Sequence, residues 1–495
     1  MSLINVNHLT FGYDGGIENI FENVSFQIDT DWKLGFTGRN GRGKTTFLNL
    51  LRGKFEYRGS ISASVSFEYF PYEVQDEGMD TATVIRSMND EYEDWQLLRE
   101  LNLLEVAHDV LDRPFATLSN GERTKVLLAA LFLKGNRFLL IDEPTNHLDM
   151  NGRQMVSQYL RGKQGFILVS HDRAFLDGCV DHILSINRTD IEIQKGNFSS
   201  WWHNKQLQDN LEMARNDTLK KDIKRLEESA RRAADWSERV EKSKKGQRVS
   251  GIKPDKGYIG HKSAKMMKRS QAIKSRRQEA AEEKTGLLKN IEISDSLKIR
   301  PLQYFTDTLV TLEEISIIYG ERPICEGISF RIQSGERVAL CGKNGSGKSS
   351  LARLILGEDI PYQGIIRRGS RLKISYVSQS TAHLSGNLTD YAREYSIDQT
   401  LLRTILRKLD FSRTMFDMNM EDYSDGQKKK VMIARSLCES AHLYIWDEPL
   451  NYIDVISRMQ IEDLLRCHRP TLLFIEHDRA FCDNIATQQI NTSGG

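Results

Sequence analysis

Two stretches of this chain set hydroxyls, carboxylates and a histidine at recurring distances. GRNGRGKTT (Gly38 to Thr46) and GKNGSGKSS (Gly342 to Ser350) each follow an apolar run, KLGFTG or RVALCG, and precede a helical pattern, FLNLL or LARLIL. In that context Gly38, Gly41 and Gly43, and likewise Gly342, Gly345 and Gly347, let backbone N–H groups wrap phosphate oxygens, with Asn40 and Asn344 inside the loops. Lys44 and Lys348 would reach the β- and γ-oxygens, and the Thr45 and Ser349 hydroxyls, followed by Thr46 and Ser350, suit Mg2+. Further on, the apolar runs LLID and YIWD end in paired acids. Asp142 and Asp447 are placed to hold the metal, and Glu143 and Glu448 to orient and polarise an attacking water, because phosphoryl transfer needs positioning and charge compensation. His171 (GFILVSH) and His477 (TLLFIEH) close two more apolar runs and would face a γ-phosphate. A lone histidine at a strand end is ordinarily a core residue; its recurrence after each acidic strand reverses that reading.

The elements that must position these residues occur twice. Lys44 to Lys348, Ser119 (LSNGE) to Ser424 (YSDGQ), Asp142 to Asp447 and His171 to His477 are separated by 304, 305, 305 and 306 positions. A spacing so constant means two copies of one domain. At 495 residues the chain is too long for one ordinary core, and 39% hydrophobic with 28% charged residues is a globular composition. No run approaches the roughly 18 apolar residues of a membrane span, and no basic segment followed by an apolar one marks a secretory leader. Six cysteines without a Cys-x-x-Cys spacing read as free thiols in a reducing compartment.

Between the copies the composition changes. Residues 201–300 hold 26 Lys plus Arg against 15 Asp plus Glu, while the whole chain nets only +1. LEMARNDTLKKDIKRLEESARRAADWSERVEK and HKSAKMMKRSQAIKSRRQEAAEEKTGLLKNI read as helices, separated by a Gly- and Pro-bearing break at 246–260. Two antiparallel helices of some 30 to 45 residues would reach roughly 45–65 Å at ~1.5 Å per residue. A charge run is usually a solvated face; this one also suits a polyphosphate partner, since neutralising phosphates releases counterions. Trp201, Trp202 and Trp236 are expected to pack the helical pair together.

The order of motifs resembles the ATP-binding cassette superfamily: phosphate loop, Gln loop, LSxGE signature, acidic strand, D-loop (Leu148-Asp149; Ile453-Asp454) and switch histidine. The resemblance implies an α/β fold with two cassettes, 1–197 and 301–495, joined by a long two-helix linker over 198–300. It implies ATP hydrolysis with Mg2+, and head-to-tail pairing inside a monomer. Each ATP would lie between one phosphate loop and the other cassette's signature, Ser119 and Gly121 or Ser424 and Gly426. Tyr13 (FGYDG) and Tyr319 (IIYGE) match an adenine-stacking aromatic, although a core tyrosine fits either place equally well, and Gln379 (YVSQS) matches the metal-binding Gln loop.

Two cassettes without a membrane segment, together with EPTNHLD, resemble the ABC-F group, whose members act on ribosomes. EPLNYID, GFILVSHDRAF, AKMMKRS and the 18 residues after His477 are similar to the Lsa-type antibiotic-resistance factors. This implies a cytoplasmic ribosome protection factor that enters the tRNA exit site of the 70S ribosome, beside 23S rRNA and P-site tRNA, and counters lincosamides, pleuromutilins and streptogramin A drugs. The tip residues Gly251, Ile252, Lys253 and Tyr258 become candidates for contact near the drug. With 75 positions from Lys44 to Ser119 and 76 from Lys348 to Ser424, neither cassette has room for the extra hairpin of many housekeeping members. There are departures: Tyr72 stands where the first Gln loop needs glutamine, with Gln75 three residues late. Asn120 and Asp425 replace a signature glycine, as residues tolerant of unusual backbone angles. Leu450 and Tyr452 replace Thr and His, which puts equal hydrolysis at the two sites in question. The rival readings are a housekeeping factor for stalled ribosomes, the ATPase of a drug exporter, and a DNA-clamping ATPase.

Overall fold

The computed structural model describes residues 2–13, 19–89, 91–135, 137–186, 191–245, 297–319 and 322–492, with scattered positions between 261 and 279. Its contacts divide the chain into a unit of residues 1–201 with 294–495, holding both cassettes, and a unit of residues 202–293.

In the first cassette, Ser66–Phe70, Arg137–Asp142, Phe166–Val169, Lys33–Thr37, His182–Ile186 and Ile191–Lys195 lie side by side in that order, all parallel but for the last. The second cassette repeats the arrangement with Ile374–Val377, Leu443–Asp447, Leu472–Ile475, Arg337–Cys341 and Gln488–Asn491. Near-continuous apolar runs such as FILV and LLFI form these strands because helices cover both faces, and all four residues of each run are buried. The alternating run LINVNHLTF instead makes a half-exposed strand, Leu3–Phe11, between Phe21–Asp29 and Arg58–Ser62; Thr308–Tyr319 does the same between Arg322–Gln333 and Tyr362–Arg368.

This topology puts the motif strands in contact. Val169 pairs with Asp142 on one side and Phe36 on the other, so the acidic, histidine and phosphate-loop strands end together. Ile475, Asp447 and Leu340 repeat the alignment. Ligands in open α/β sheets bind beyond such carboxyl ends.

Among the described residues no helix is long and apolar enough to cross a membrane, and the six cysteines are free. From Lys44 to Ser119 the described strands and α-helices are Lys44–Leu51, Arg58–Ser62, Ser66–Phe70, Thr81–Met88 and Asp94–Leu103.

The helix entering the linker is longer than expected. It runs Phe198–Lys245, 48 residues, about 72 Å at ~1.5 Å per residue. No Gly or Pro interrupts that stretch, so it propagates from its first turn. There, at the helix root, Phe198 and Trp201 are buried with ring centroids 5.4 Å apart. Helical backbone recurs at the described positions from His261 to Glu279. The Trp236 side chain and the tip 246–260, with Gly251, Ile252, Lys253 and Tyr258, lie outside the described residues.

Candidate active site

Each phosphate loop turns into its helix, Lys44–Leu51 or Lys348–Leu356, through a glycine in the left-handed region, Gly43 at φ 91° and Gly347 at φ 81°. A Cβ on Gly43 would also stand 2.4 Å from Ile20 Cγ2, so conformation and space both require glycine there. The lysines close the loops from inside: Lys44 Nζ donates to the Gly38 and Arg39 carbonyls at 2.8 and 3.1 Å, and Lys348 Nζ to those of Gly342 and Lys343 at 2.9 and 2.8 Å. Burial lowers the pKa of both ammonium groups, opposed by acids that include one from the facing D-loop, Asp454 for Lys44 and Asp149 for Lys348.

The acidic strands deliver their carboxylates on strained backbone. Glu143 and Glu448 sit at φ 50° and 46°, a conformation that costs on the order of 1–3 kcal/mol and collects at functional sites. His171 Nε2 lies 3.4 Å from Glu143 Oε1 and His477 Nε2 lies 3.6 Å from Glu448 Oε1, so each histidine meets the glutamate of its own cassette. The two glutamates differ electrostatically. Burial, with Asp142 beside it, pushes the Glu143 carboxyl far above the usual carboxylate range. Against opposing burial, His477, Gln379 and Lys429 hold Glu448 down at about 2. Burial together with Lys44 and Arg458 pushes the His171 ring well below its ordinary value.

The two strand-end aspartates, Asp142 and Asp447, also differ. Asp142 Oδ2 accepts from the Thr45 hydroxyl at 2.9 Å and from the Tyr69 hydroxyl at 3.0 Å. Neither carboxylate oxygen of Asp447 has a hydrogen-bond partner; Ser349 lies close enough to favour its ionised form without bonding geometry, while burial raises it to about 6.

The cassettes face each other head to tail. A cavity of about 980 Å3 is lined by Gly345, Lys348, Ser349, Ser350, Gln379, Glu448 and His477 from the second cassette and by Ser119, Gly121, His147 and Asp149 from the first. Asn344 Nδ2 donates to the His147 carbonyl at 3.4 Å. Opposite, Asn40 Nδ2 donates to the Tyr452 carbonyl at 2.7 Å, and a Cβ on Gly426 would stand 2.9 Å from that amide. Arg39 and Arg42 reach Asp410 at 3.9 and 3.7 Å, and Arg173 pairs with Glu462. Both signature serines cap their helices, Asn120–Phe132 and Asp425–Cys438, in reciprocal boxes with Glu122 and Gln427. The ordinary N-cap reading and the cavity-lining one therefore hold together for Ser119. Asn120 and Asp425 begin those helices without a positive φ, which corrects the expectation of unusual backbone angles. Their polar side chains suit a helix start instead. Tyr13 and Tyr319 are 49% and 44% exposed, so neither is a core residue. Their hydroxyls contact Thr46 and Ser350 at 3.0 and 3.3 Å.

Several residues here escaped the motif reading. Tyr69 lies three residues before Tyr72 and reaches Asp142; only its strand position hinted at it. Lys429, 1% exposed, donates to the carbonyls of Ser378 and Glu448, each at 3.0 Å, and more weakly to that of Asp447. Lys430 meets Asp454 at 2.7 Å and holds that acid well below its usual range. The change from Thr145 to Leu450 is matched by one from Ser170 to Glu476. Thr145 and Ser170 hydroxyls are 3.3 Å apart, whereas Glu476 accepts from the Leu450 amide at 2.7 Å.

The ABC transporter family profile matches residues 21–146 and 325–451, together just over half of the 495 positions. Over 494 residues the chain is 27% identical to the ribosome protection protein VmlR of Bacillus subtilis, covering 97% of this chain and 85% of that one. It is 27% identical over 498 residues to the ATP-binding protein Uup of Caulobacter vibrioides, covering 97% and 76%. The archaeal ribosome recycling factor aABCE1, solved with the ribosomal stalk protein aP1, superposes with a TM-score of 0.64 at 19% identity, over 99% of this chain and 88% of that one, a likeness of fold. Matched to one family in both halves, with equivalent residues gathered in each, the chain belongs to the ABC transporter family, as a twin-cassette ATP hydrolase of the ABC-F type.

Proposed function

We propose that this protein is a cytoplasmic ribosome protection factor. With ATP bound it occupies the tRNA exit site of the 70S ribosome, acts on 23S rRNA and P-site tRNA, and dislodges lincosamide, pleuromutilin or streptogramin A drugs from the peptidyl-transferase centre. The observation that carries this reading is the likeness to VmlR across 97% of the chain, the basic interdomain segment included. That segment, at 26 basic against 15 acidic residues, suits RNA and leaves the exporter reading without a use for it.

ATP in the second cavity meets Lys348 and the loop amides from one side and Ser119 from the other, while Tyr319 offers a ring face to adenine. Asp447, buried with both oxygens unpartnered beside the Ser349 hydroxyl, is a donor set that fits a hard cation. Mg2+ would be held by Ser349, Asp447 and Gln379 there, and by Thr45 and Asp142 at the first site, where it supplies charge neutralisation at the β- and γ-oxygens. Glu448, kept ionised, orients the attacking water; His477 packs against it; Ser119 completes the enclosure of the γ-phosphate. The first site differs, because Tyr72 cannot supply Gln379's amide oxygen, Tyr69 bonds Asp142, and Glu143 favours its neutral form. ATP binds the clamped pair better than the open one and so biases the geometry of whatever the cassettes carry.

The test is co-sedimentation of the Glu143→Gln/Glu448→Gln protein with 70S ribosomes, with and without ATP, followed by chemical probing of 23S rRNA. ATP-dependent binding with protections at the exit site and peptidyl-transferase centre is expected, and ATP-independent or absent binding refutes the reading. The 27% identity to VmlR is matched by that to Uup, named only as an ATP-binding protein, so the second reading is a housekeeping factor for stalled ribosomes. It predicts ribosome binding without any change in drug susceptibility of cells expressing the protein.

A further inference from the structure

The second ATP cavity contains a side chain that the motif reading leaves without a task. His147, from the EPTNHLD run of the first cassette, is exposed to the cavity that Lys348, Ser349, Glu448 and His477 line from the second. Its backbone is held from three directions. Asn344 Nδ2 donates to its carbonyl at 3.4 Å, the following Leu148 amide closes a turn onto the Thr145 carbonyl at 3.2 Å, and Asp149 caps the next helix through the Gly152 amide at 2.8 Å. The backbone that carries the ring is thus fixed at the cavity wall. Partial burial favours its neutral form, and Glu448 across the interface is the charge that pulls the other way. A neutral imidazole has one donor and one acceptor nitrogen.

The matching position of the second cassette is Tyr452, whose carbonyl accepts from Asn40 at 2.7 Å and whose phenol pKa is raised by burial and by Asp425 and Glu448 of its own cassette ahead of Glu143 across the interface. The two rings differ in chemistry, and their backbones differ too, since Tyr452 sits at φ 64° and His147 does not have a positive φ. The imidazole can accept a hydrogen bond through nitrogen, whereas a phenol is chiefly a donor.

We propose that His147 is a further catalytic residue of the second ATP site, acting across the cassette interface by hydrogen-bonding the attacking water beside Glu448. This rests on the reading of Glu448 as the group that orients that water. The water oxygen forms the new bond to the γ-phosphorus as the β,γ-bridging P–O bond breaks, its electron pair leaving on ADP. One water proton passes to the Glu448 carboxylate and on to the released phosphate, while the imidazole acceptor nitrogen holds the other water hydrogen in place. The first site has Tyr452 instead and lacks that acceptor.

The experiment measures ATP turnover in the full chain carrying Glu143→Gln, so that phosphate release reports on the second site, and adds His147→Ala, His147→Tyr or His147→Gln. Positioned proton-handling groups contribute about 10²–10⁴-fold, and a contact that shares the water with Glu448 contributes no more than the bottom of that range. His147→Ala and His147→Tyr should lower kcat by about 10- to 100-fold with KM for ATP within about threefold. His147→Gln, which keeps an acceptor at similar reach, should regain most of the loss. A kcat within about twofold of the parent in all three variants overturns the proposal, as does a loss that His147→Gln shares in full, which marks a packing role. A Glu143→Gln parent without turnover sinks the reading of Glu448 itself, and the role of His147 with it.

Discussion

Lys429 offers the sharpest test of how the second cassette is held together. Its ammonium is buried and donates to the carbonyls of Ser378 and Glu448 at 3.0 Å, with Asp447 at the 3.5 Å limit. It thereby ties the helix capped by Ser424 to the residue before Gln379 and to the Glu448 peptide. Lys429→Met keeps length and apolar volume but removes the only charge on that tether. Hydrogen bonds from a charged donor are worth about 1.5–3 kcal/mol each, and two good ones and a poor one are lost; relief of the buried ammonium's desolvation returns part of this. The net expectation is about 3 kcal/mol, or a fall of about 6–12 °C in the unfolding midpoint of a cassette this size. Displacing Gln379 and Glu448 by roughly 1 Å should also lower second-site turnover by about 100-fold. Scanning calorimetry gives the first quantity and phosphate release in the Glu143→Gln background the second. Thr124, the matching residue of the first cassette, bonds among the described residues just the Asn120 carbonyl, at 2.9 Å, so Thr124→Val should cost no more than about 1 kcal/mol. A Lys429→Met protein with a midpoint within about 2 °C of wild type and turnover within twofold would refute the tether.

Gly426→Ala puts a methyl 2.4 Å from the Tyr452 carbonyl, while at Gly121 the nearest atom is 3.7 Å away. The first substitution should abolish first-site turnover measured in Glu448→Gln protein, and the second should leave second-site turnover within about threefold; equal effects would contradict the packing described. Burial raises Glu476 to about 7 against Arg458 and the Leu450 amide, so the folded state keeps a proton that the unfolded chain releases above about 4.5. Stability is then lost as pH rises from about 4.5 to 7, by on the order of 3 kcal/mol. Glu476→Gln should raise the unfolding midpoint at pH 8 and change little at pH 4.5, and a pH-independent shift would contradict the assignment. Tyr69→Phe removes one of two donors to Asp142 Oδ2. In Glu448→Gln protein it should lower the Mg2+ concentration for half-maximal turnover by about three- to tenfold; a rise would show that the phenol supports the site.

The cassettes were legible because each motif needs a particular backbone: glycines at the phosphate turn, an apolar strand ending in acid, a serine before a helix. Two copies at constant spacing then implied the facing arrangement through family resemblance. Contacts made by residues of no motif were not legible. Lys429 and Thr124 occupy equivalent positions and look like solvated helix residues in sequence, yet only the lysine spans to three carbonyls. Tyr72 drew notice as a departure, whereas the side chain on Asp142 is Tyr69, because Tyr69 lies on the strand Ser66–Phe70 that pairs with the acidic strand and Tyr72 lies beyond its end. The linker helix exceeds the expected length because residues 198–210 are poor in strong helix formers and so gave no helical signal, while burial of Phe198 and Trp201 anchors a helix there.

The Gly426 contact with Asn40 has a consequence for how the protein comes into being. The loop that begins at Gly38 is completed by the segment around Ser424, some 380 residues later in the chain. At roughly 5–20 residues per second of synthesis, the first phosphate loop emerges about 20–75 s before its far wall exists. A nascent first cassette can fold and meet nucleotide but has nothing to close against. The same holds for any product truncated before residue 424: it carries the first phosphate loop without the wall that would enclose its ligand.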